Sequence, residues 1–96
     1  MRGGWVYIMA DRYRGTIYIG VTSDVAGRVW AHKDGGGSTF CARYGLKRLV
    51  YAEQAPTMYE AIAREKAMKK WKRAWKIELI ERANPDWDDL WDHING

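Results

Sequence analysis

The sequence predicts an α/β (α+β) domain in which a small three-stranded antiparallel sheet is flanked by helices, in the order β-β-α-β-α-α. Three observations lead there. Two short runs rich in β-branched and aromatic residues, 5–10 and 16–21, stand on either side of a polar turn. Capping signals at Thr22-Ser23-Asp24 and Thr57-Met58-Tyr59-Glu60 each precede a stretch with apolar residues at helical spacing. The 96 residues, 47% of them apolar, supply one modest core, which excludes a wholly disordered chain and leaves little room for a second domain.

Trp5-Val6-Tyr7-Ile8-Met9-Ala10 is apolar nearly throughout and reads as a strand buried on both faces. Residues 11–15 form a turn, and residues 16–21 a second strand of the same kind; so short a connection favours an antiparallel hairpin. Pairing residues whose numbers sum to 25 would set Tyr7 opposite Tyr18. The helix that follows is expected to reach about Lys33, with Val25 and Val29 on its apolar stripe and Gly27 weakening it by about 1 kcal/mol relative to alanine. Gly35-Gly36-Gly37-Ser38-Thr39 reads as a flexible loop, and residues 46–53 contain a third strand centred on Leu49-Val50-Tyr51-Ala52. Thr57 and Glu60 form a capping box for a helix running to about Trp71 or Lys72. Another helix is expected from about Arg73 to Arg82, ended by Asn84-Pro85. The whole chain, 1–96, reads as a single domain with its core at about 5–83 and an acidic tail, 84–96, whose Trp87, Leu90 and Trp91 dock on that core.

Charge narrows the function. The chain has 16 Lys plus Arg against 12 Asp plus Glu. Four of the acids, Asp86, Asp88, Asp89 and Asp92, lie in the tail, which has no Lys or Arg, so residues 1–83 are strongly basic. Such a surface favours polyanions, nucleic acid foremost. The lone Cys41 excludes an internal disulfide and a cysteine-rich zinc cluster. No stretch approaches the ~18 apolar residues that span a bilayer, and the first residues lack the apolar run of a secretory signal, so no membrane partner and a cytoplasmic setting are expected. No phosphate-cradling G-x-x-x-x-G-K-[ST] loop, H-E-x-x-H helix, EF-hand loop or G-x-S-x-G elbow occurs.

Four groups of residues remain as carriers of chemistry. Tyr7 and Tyr18 project from the two hairpin strands, where simple core packing is the competing explanation. Arg28 and His32 stand four apart on one helix face and combine a permanent cation with a group that exchanges protons near neutral pH. Glu65 lies beside an apolar stripe, either as a border residue paired with Lys69 or as an anchor for a hard cation whose coordination phosphate and water complete. The run from Arg64 to Lys76 interleaves seven basic residues with Trp71 and Trp75. Its charges suit a phosphate backbone or merely solvate the helix, and the tryptophans are assigned to the core.

In order and spacing these residues resemble the GIY-YIG nuclease superfamily, and within it the small single-domain bacterial proteins. Tyr18-Ile19-Gly20 is intact; Trp5-Val6-Tyr7 takes the place of Gly-Ile-Tyr and keeps the tyrosine, with ten residues (8–17) between the two tyrosines. Arg28 and His32 follow, then Glu65, then Asn84 within Asn84-Pro85-Asp86-Trp87; Arg43-Tyr44, Leu49-Val50-Tyr51 and residues 61–66 match as well, so that the resemblance covers about 5–91. It implies a metal-dependent endonuclease that hydrolyses phosphodiester bonds, DNA favoured over RNA, with one Mg²⁺ or Mn²⁺ on Glu65. Tyr7 is then the general base, and Tyr18 holds the phosphate or the water. Arg28 offsets charge on the phosphate, His32 relays the proton or orients Tyr7, and Asn84 braces the substrate. Lys33, Arg43, Tyr44 and Lys69 are expected to contact the nucleic acid. A free phenol has a pKa of about 10, so Arg28, His32 or the cation must lower that of Tyr7. Three other readings stand beside this one: a phosphotyrosine intermediate on Tyr7, a binding module of the same fold with weak or no catalysis, and a protein-interaction domain with Trp87 and Trp91 as an exposed patch.

Overall fold

The computed structural model describes residues 3–95. Met1, Arg2 and Gly96, counted in the expected single domain, lie outside the described residues. The elements are β1 (Gly4–Ala10), β2 (Ile17–Thr22), α1 (Val25–Lys33), α2 (Thr39–Tyr44), β3 (Arg48–Ala55), α3 (Met58–Lys69), α4 (Arg73–Ala83) and α5 (Trp91–Asn95). The three strands form one antiparallel sheet in the order β2-β1-β3. The mixed architecture read from the sequence is therefore present, with two short helices, α2 and α5, added to it.

The apolar composition of β1 follows from its place. It is the central strand, and its two sets of alternating side chains enter two different layers. Val6, Ile8 and Ala10 join Ile19 and Val50 beneath Ala61 and Met68 of α3, Ile80 of α4 and Trp87. Tyr7 and Met9 join Leu49 beneath Val25 and Val29 of α1 and Cys41 of α2. β3 is out of step between Ile8 and Met9, where Ile8 faces Tyr51 but Met9 faces Leu49. Val50 is the extra residue of that bulge.

α1 and α3 begin where their caps predict. The Asp24 carboxylate accepts from the Gly27 amide, and the Thr57 hydroxyl accepts from the Glu60 amide at 3.1 Å. α2 is short and begins inside the stretch read as a loop. The Ser38 hydroxyl accepts from the Cys41 amide, and Gly45, at φ 67°, closes the helix in the left-handed region.

The acidic tail completes the fold. Trp87 is fully buried and its indole N–H donates to Glu81 at 2.8 Å. The Leu90 amide donates to the Leu49 carbonyl at 2.7 Å, and Asp89 accepts from the Leu49 amide at 3.2 Å. These bonds cover an edge of β3 that would otherwise present unpaired backbone. Leu90, Trp91 and Ile94 pack on the layer that contains Tyr7. The exposed patch of Trp87 and Trp91 is thus overturned: one ring is core, and the other lies half-buried near Lys33. Of the two tryptophans assigned to the core, Trp71 is half-buried and packs against it, whereas Trp75 is 53% exposed and needs correction. Among the described residues no helix is long and apolar enough to cross a membrane.

Candidate active site

The hairpin register places the tyrosines. The turn closes through the Asp11 amide on the Thr16 carbonyl, the Thr16 amide on the Asp11 carboxylate and the Gly15 amide on the Arg12 carbonyl. Pairing then proceeds with numbers that sum to 27, so Tyr7 faces Gly20 and Met9 faces Tyr18. Tyr7 and Tyr18 are not directly opposed, as a sum of 25 would require, but the two-residue shift preserves parity. They remain on one face as diagonal neighbours, with ring centroids 6.3 Å apart. The register also explains Gly20. A Cβ there would lie 2.4 Å from both Cζ and Oη of Tyr7, so the phenol occupies the space a side chain would fill.

His32, in the last turn of α1, is 1% exposed, as is Tyr7. Its Nε2 lies 2.9 Å from Tyr7 Oη in a buried hydrogen bond. The imidazole also meets the Tyr18 ring edge-on, with centroids 5.8 Å apart. Nδ1 is buried and has no hydrogen-bond partner among the described residues. Arg28, one turn earlier and exposed, acts electrostatically on both groups and lowers the pKa of each. Burial nevertheless dominates. It drives the Tyr7 phenol well above its ordinary value, reinforced by Tyr18 and only opposed by Arg28. Burial, with Arg28, holds His32 below 6.5. Of the groups expected to depress Tyr7, Arg28 does pull its pKa down, but burial outweighs it and the resting side chain is a neutral phenol.

Glu65 reaches the same neighbourhood from α3. It is 8% exposed, its charge is felt at Tyr7, and Lys69, one turn on, pairs with it at 2.6 Å. The same Lys69 Nζ lies 5.9 Å from the centre of the Tyr18 ring. An open cavity of about 300 Å³ adjoins this point, lined by Ile17, Tyr18, Ile19, Phe40, Lys69 and Lys76. Among the described residues no three His, Cys, Asp or Glu side chains cluster to cage a metal. A lone, largely buried carboxylate suits a hard cation whose other ligands are water and phosphate oxygens, provided Lys69 gives way.

The other expected site residues lie elsewhere or have other partners. Asn84 is buried; its amide donates to the carbonyls of Val50 (3.0 Å) and Asp88 (2.9 Å) and accepts from the Asp88 amide (3.0 Å). With both donors satisfied by backbone, it braces the tail against β3 rather than a substrate. Lys33 is likewise taken up by the tail, donating to Asp89 and to the Lys47 carbonyl. Arg43 and Tyr44 are exposed on α2. In the basic run, Arg64 forks onto Glu53 at 2.9 and 3.2 Å, and Arg73 binds the carbonyls of Arg14 and Gly15 in the hairpin turn. Lys69 and Lys76 are the members that line the cavity beside Tyr18. Phe40, which also lines it, carries no motif in the sequence; its pairing with Tyr44 at helical spacing is the one signal, hidden in a helix of six residues.

Comparison with known proteins adds a family match. The family model described as the GIY-YIG catalytic domain matches residues 3–78. A UPF0213 protein of Staphylococcus saprophyticus is 32% identical over 76 residues, 79% of this chain and 92% of the relative. UPF0213 proteins of Staphylococcus epidermidis and Staphylococcus aureus are 34% and 36% identical over 67 residues, each covering 70% of this chain and 82% of the relative. Those names state no activity. No solved structure matches the chain.

Proposed function

The chain belongs to the GIY-YIG family of nuclease-type catalytic domains, and from that premise we propose that it is a metal-dependent endonuclease hydrolysing phosphodiester bonds of nucleic acid, DNA in preference to RNA. The observation that carries this reading is the buried Tyr7–His32 hydrogen bond of 2.9 Å with Tyr18, Arg28 and Glu65 all acting on the same phenol. Core packing does not call for two phenols, a guanidinium, an imidazole and a carboxylate in one place. Phosphodiester hydrolysis does, because it needs a base for water and fixed positive charge for the phosphate.

Arg28, exposed at the rim, presents a rigid fork of donors to the non-bridging oxygens. Glu65 would hold the divalent ion, Mg²⁺ or Mn²⁺, which when bound supplies charge to offset that of the phosphate. His32 orients Tyr7. In the tautomer that carries its proton on Nε2, the imidazole donates to Tyr7 Oη across the 2.9 Å contact. The phenol proton then points away from the imidazole and would pass to solvent water, while the Nε2–H donor, Arg28 and the ion that Glu65 would hold would offset the charge left on Oη and so work against the effect of burial. Tyr7 in that form takes a proton from the attacking water, whose oxygen bonds to phosphorus as the P–O bond to the leaving sugar oxygen breaks, and solvent water supplies a proton to that oxygen. Tyr18 borders the cavity and holds the phosphate or the water through its hydroxyl.

The test is cleavage of supercoiled, single-stranded and branched DNA in Mg²⁺ or Mn²⁺. Wild-type protein should cut, and Arg28→Ala, Tyr7→Phe and Glu65→Ala, each checked for folding, should lose about 10²-fold or more. One observation favours a second reading, a binding module without efficient catalysis: Glu65 is paired with Lys69 rather than left open. Binding to DNA without cutting in either metal would establish that reading and reject the nuclease.

A further inference from the structure

Three aromatic rings form a row that leads outward from the cluster. Tyr18 and Phe40 are stacked with centroids 6.1 Å apart and an interplanar angle of 28°; Phe40 and Tyr44 follow at 4.9 Å. Phe40 is 41% exposed and Tyr44 51%. α2 is anchored through Cys41, which is buried, so the two rings are not what fastens this helix to the core. Cations attend both ends of the row: Lys69 over Tyr18 and Arg43 over Tyr44, 5.9 and 5.8 Å from the ring centres. Lys76 joins Lys69, itself paired with Glu65, in the wall of the adjoining cavity, where no carboxylate is among the described lining residues.

We infer that Tyr18, Phe40 and Tyr44 are a stacking platform for unpaired nucleobases, so that the strand engaged beside the candidate cleft is single-stranded there. The inference deepens the function proposed above and rests on its premise that this face takes nucleic acid. Partly exposed rings flanked by cations match a flexible strand, whose bases stack on the open sides of the row while its phosphates meet Lys69, Lys76 and Arg43. A duplex keeps its base faces stacked on one another and offers such rings only its backbone. An acidic protein surface would satisfy the cations but leave the ring row without a reason.

Binding of the full chain, measured in EDTA by fluorescence anisotropy with a labelled oligothymidylate and with a blunt duplex of equal length, separates the possibilities. Wild-type protein should prefer the single strand. Phe40→Ala should weaken single-strand binding about tenfold more than duplex binding. Phe40→Leu, which keeps bulk and fold but loses the π-face, should behave like Phe40→Ala, and Phe40→Tyr should retain the preference. Equal losses on the two probes, or none, overturn the platform while leaving the nuclease reading intact. Altered self-association of Phe40→Leu in sedimentation, with oligothymidylate binding unchanged, also overturns it. No binding of either probe at low salt rejects the nucleic-acid premise itself. A platform that binds as described without cleavage in Mg²⁺ or Mn²⁺ rejects the catalytic proposal and keeps the platform.

Discussion

At Gly20 a single methyl group would decide the geometry of the cluster. Its Cβ would lie 2.4 Å from the Tyr7 phenol, whose ring is buried and has little room to retreat. Gly20→Ala is therefore expected to destabilise by about 1–3 kcal/mol in urea or thermal melts and to displace Tyr7 from His32. His32 sets a second residue-level expectation. Its pKa in the fold lies below the ordinary 6.5, so the unfolded chain takes up the proton first. The stability it contributes is complete above about pH 6.5 and is lost as pH falls from there through the folded value. Melting temperature should fall over that range, and His32→Gln should flatten the dependence. The depressed carboxylates Glu53 and Glu81 start from 4.5 and add their losses only at lower pH.

Beyond the sheet ladder and the apolar layers, several elements are tied together by side chains that satisfy backbone groups. Asn84 shows the principle at the end of α4. Its amide bonds three backbone groups of Val50 and Asp88, tying helix end, tail and β3 together. Asn84→Ala would leave a buried carbonyl and its neighbours without partners, a loss of about 1–3 kcal/mol read from denaturant unfolding. A bracing role predicts that cleavage per folded molecule changes little. α2 illustrates the opposite problem of legibility. Its signals, Ser38 before it and Gly45 after it, enclose only six residues, and a glycine run precedes it, so no helical period emerges from the sequence. Phe40 escapes notice for the same reason.

Across the whole molecule, residues after 78, beyond the family match, also enter the core, Ile80 and Trp87 being fully buried in it. Trp87 enters the layer under α3 and α4 with a backbone φ of 57°, in the left-handed region that a bulky side chain seldom adopts. The burial of its indole and its bond to Glu81 outweigh that strain. Trp87→Ala is expected to cost about 3–5 kcal/mol, seen as a large drop in melting temperature, whereas substitution of a surface patch would leave stability nearly unchanged. Asp89 at the same time draws Lys33 to the tail, so part of the basic surface counted in the sequence is neutralised within the fold.

The sequence by itself determined the sheet and its main helices, because β1 must be apolar on both faces when it lies in the middle and because side-chain caps act within a few residues of where they stand. It also supplied Tyr7, Tyr18, Arg28, His32 and Glu65 as candidates, since their spacing survives any small error in element boundaries. Tertiary structure alone decided the rest. Hairpin register followed from how the Asp11–Thr16 turn closed, the charge states of Tyr7 and His32 from burial, and the tasks of Asn84 and Lys33 from a tail that folds back on β3. Desolvation and long-range contact depend on what surrounds a group in space, and neighbours in the chain do not specify it.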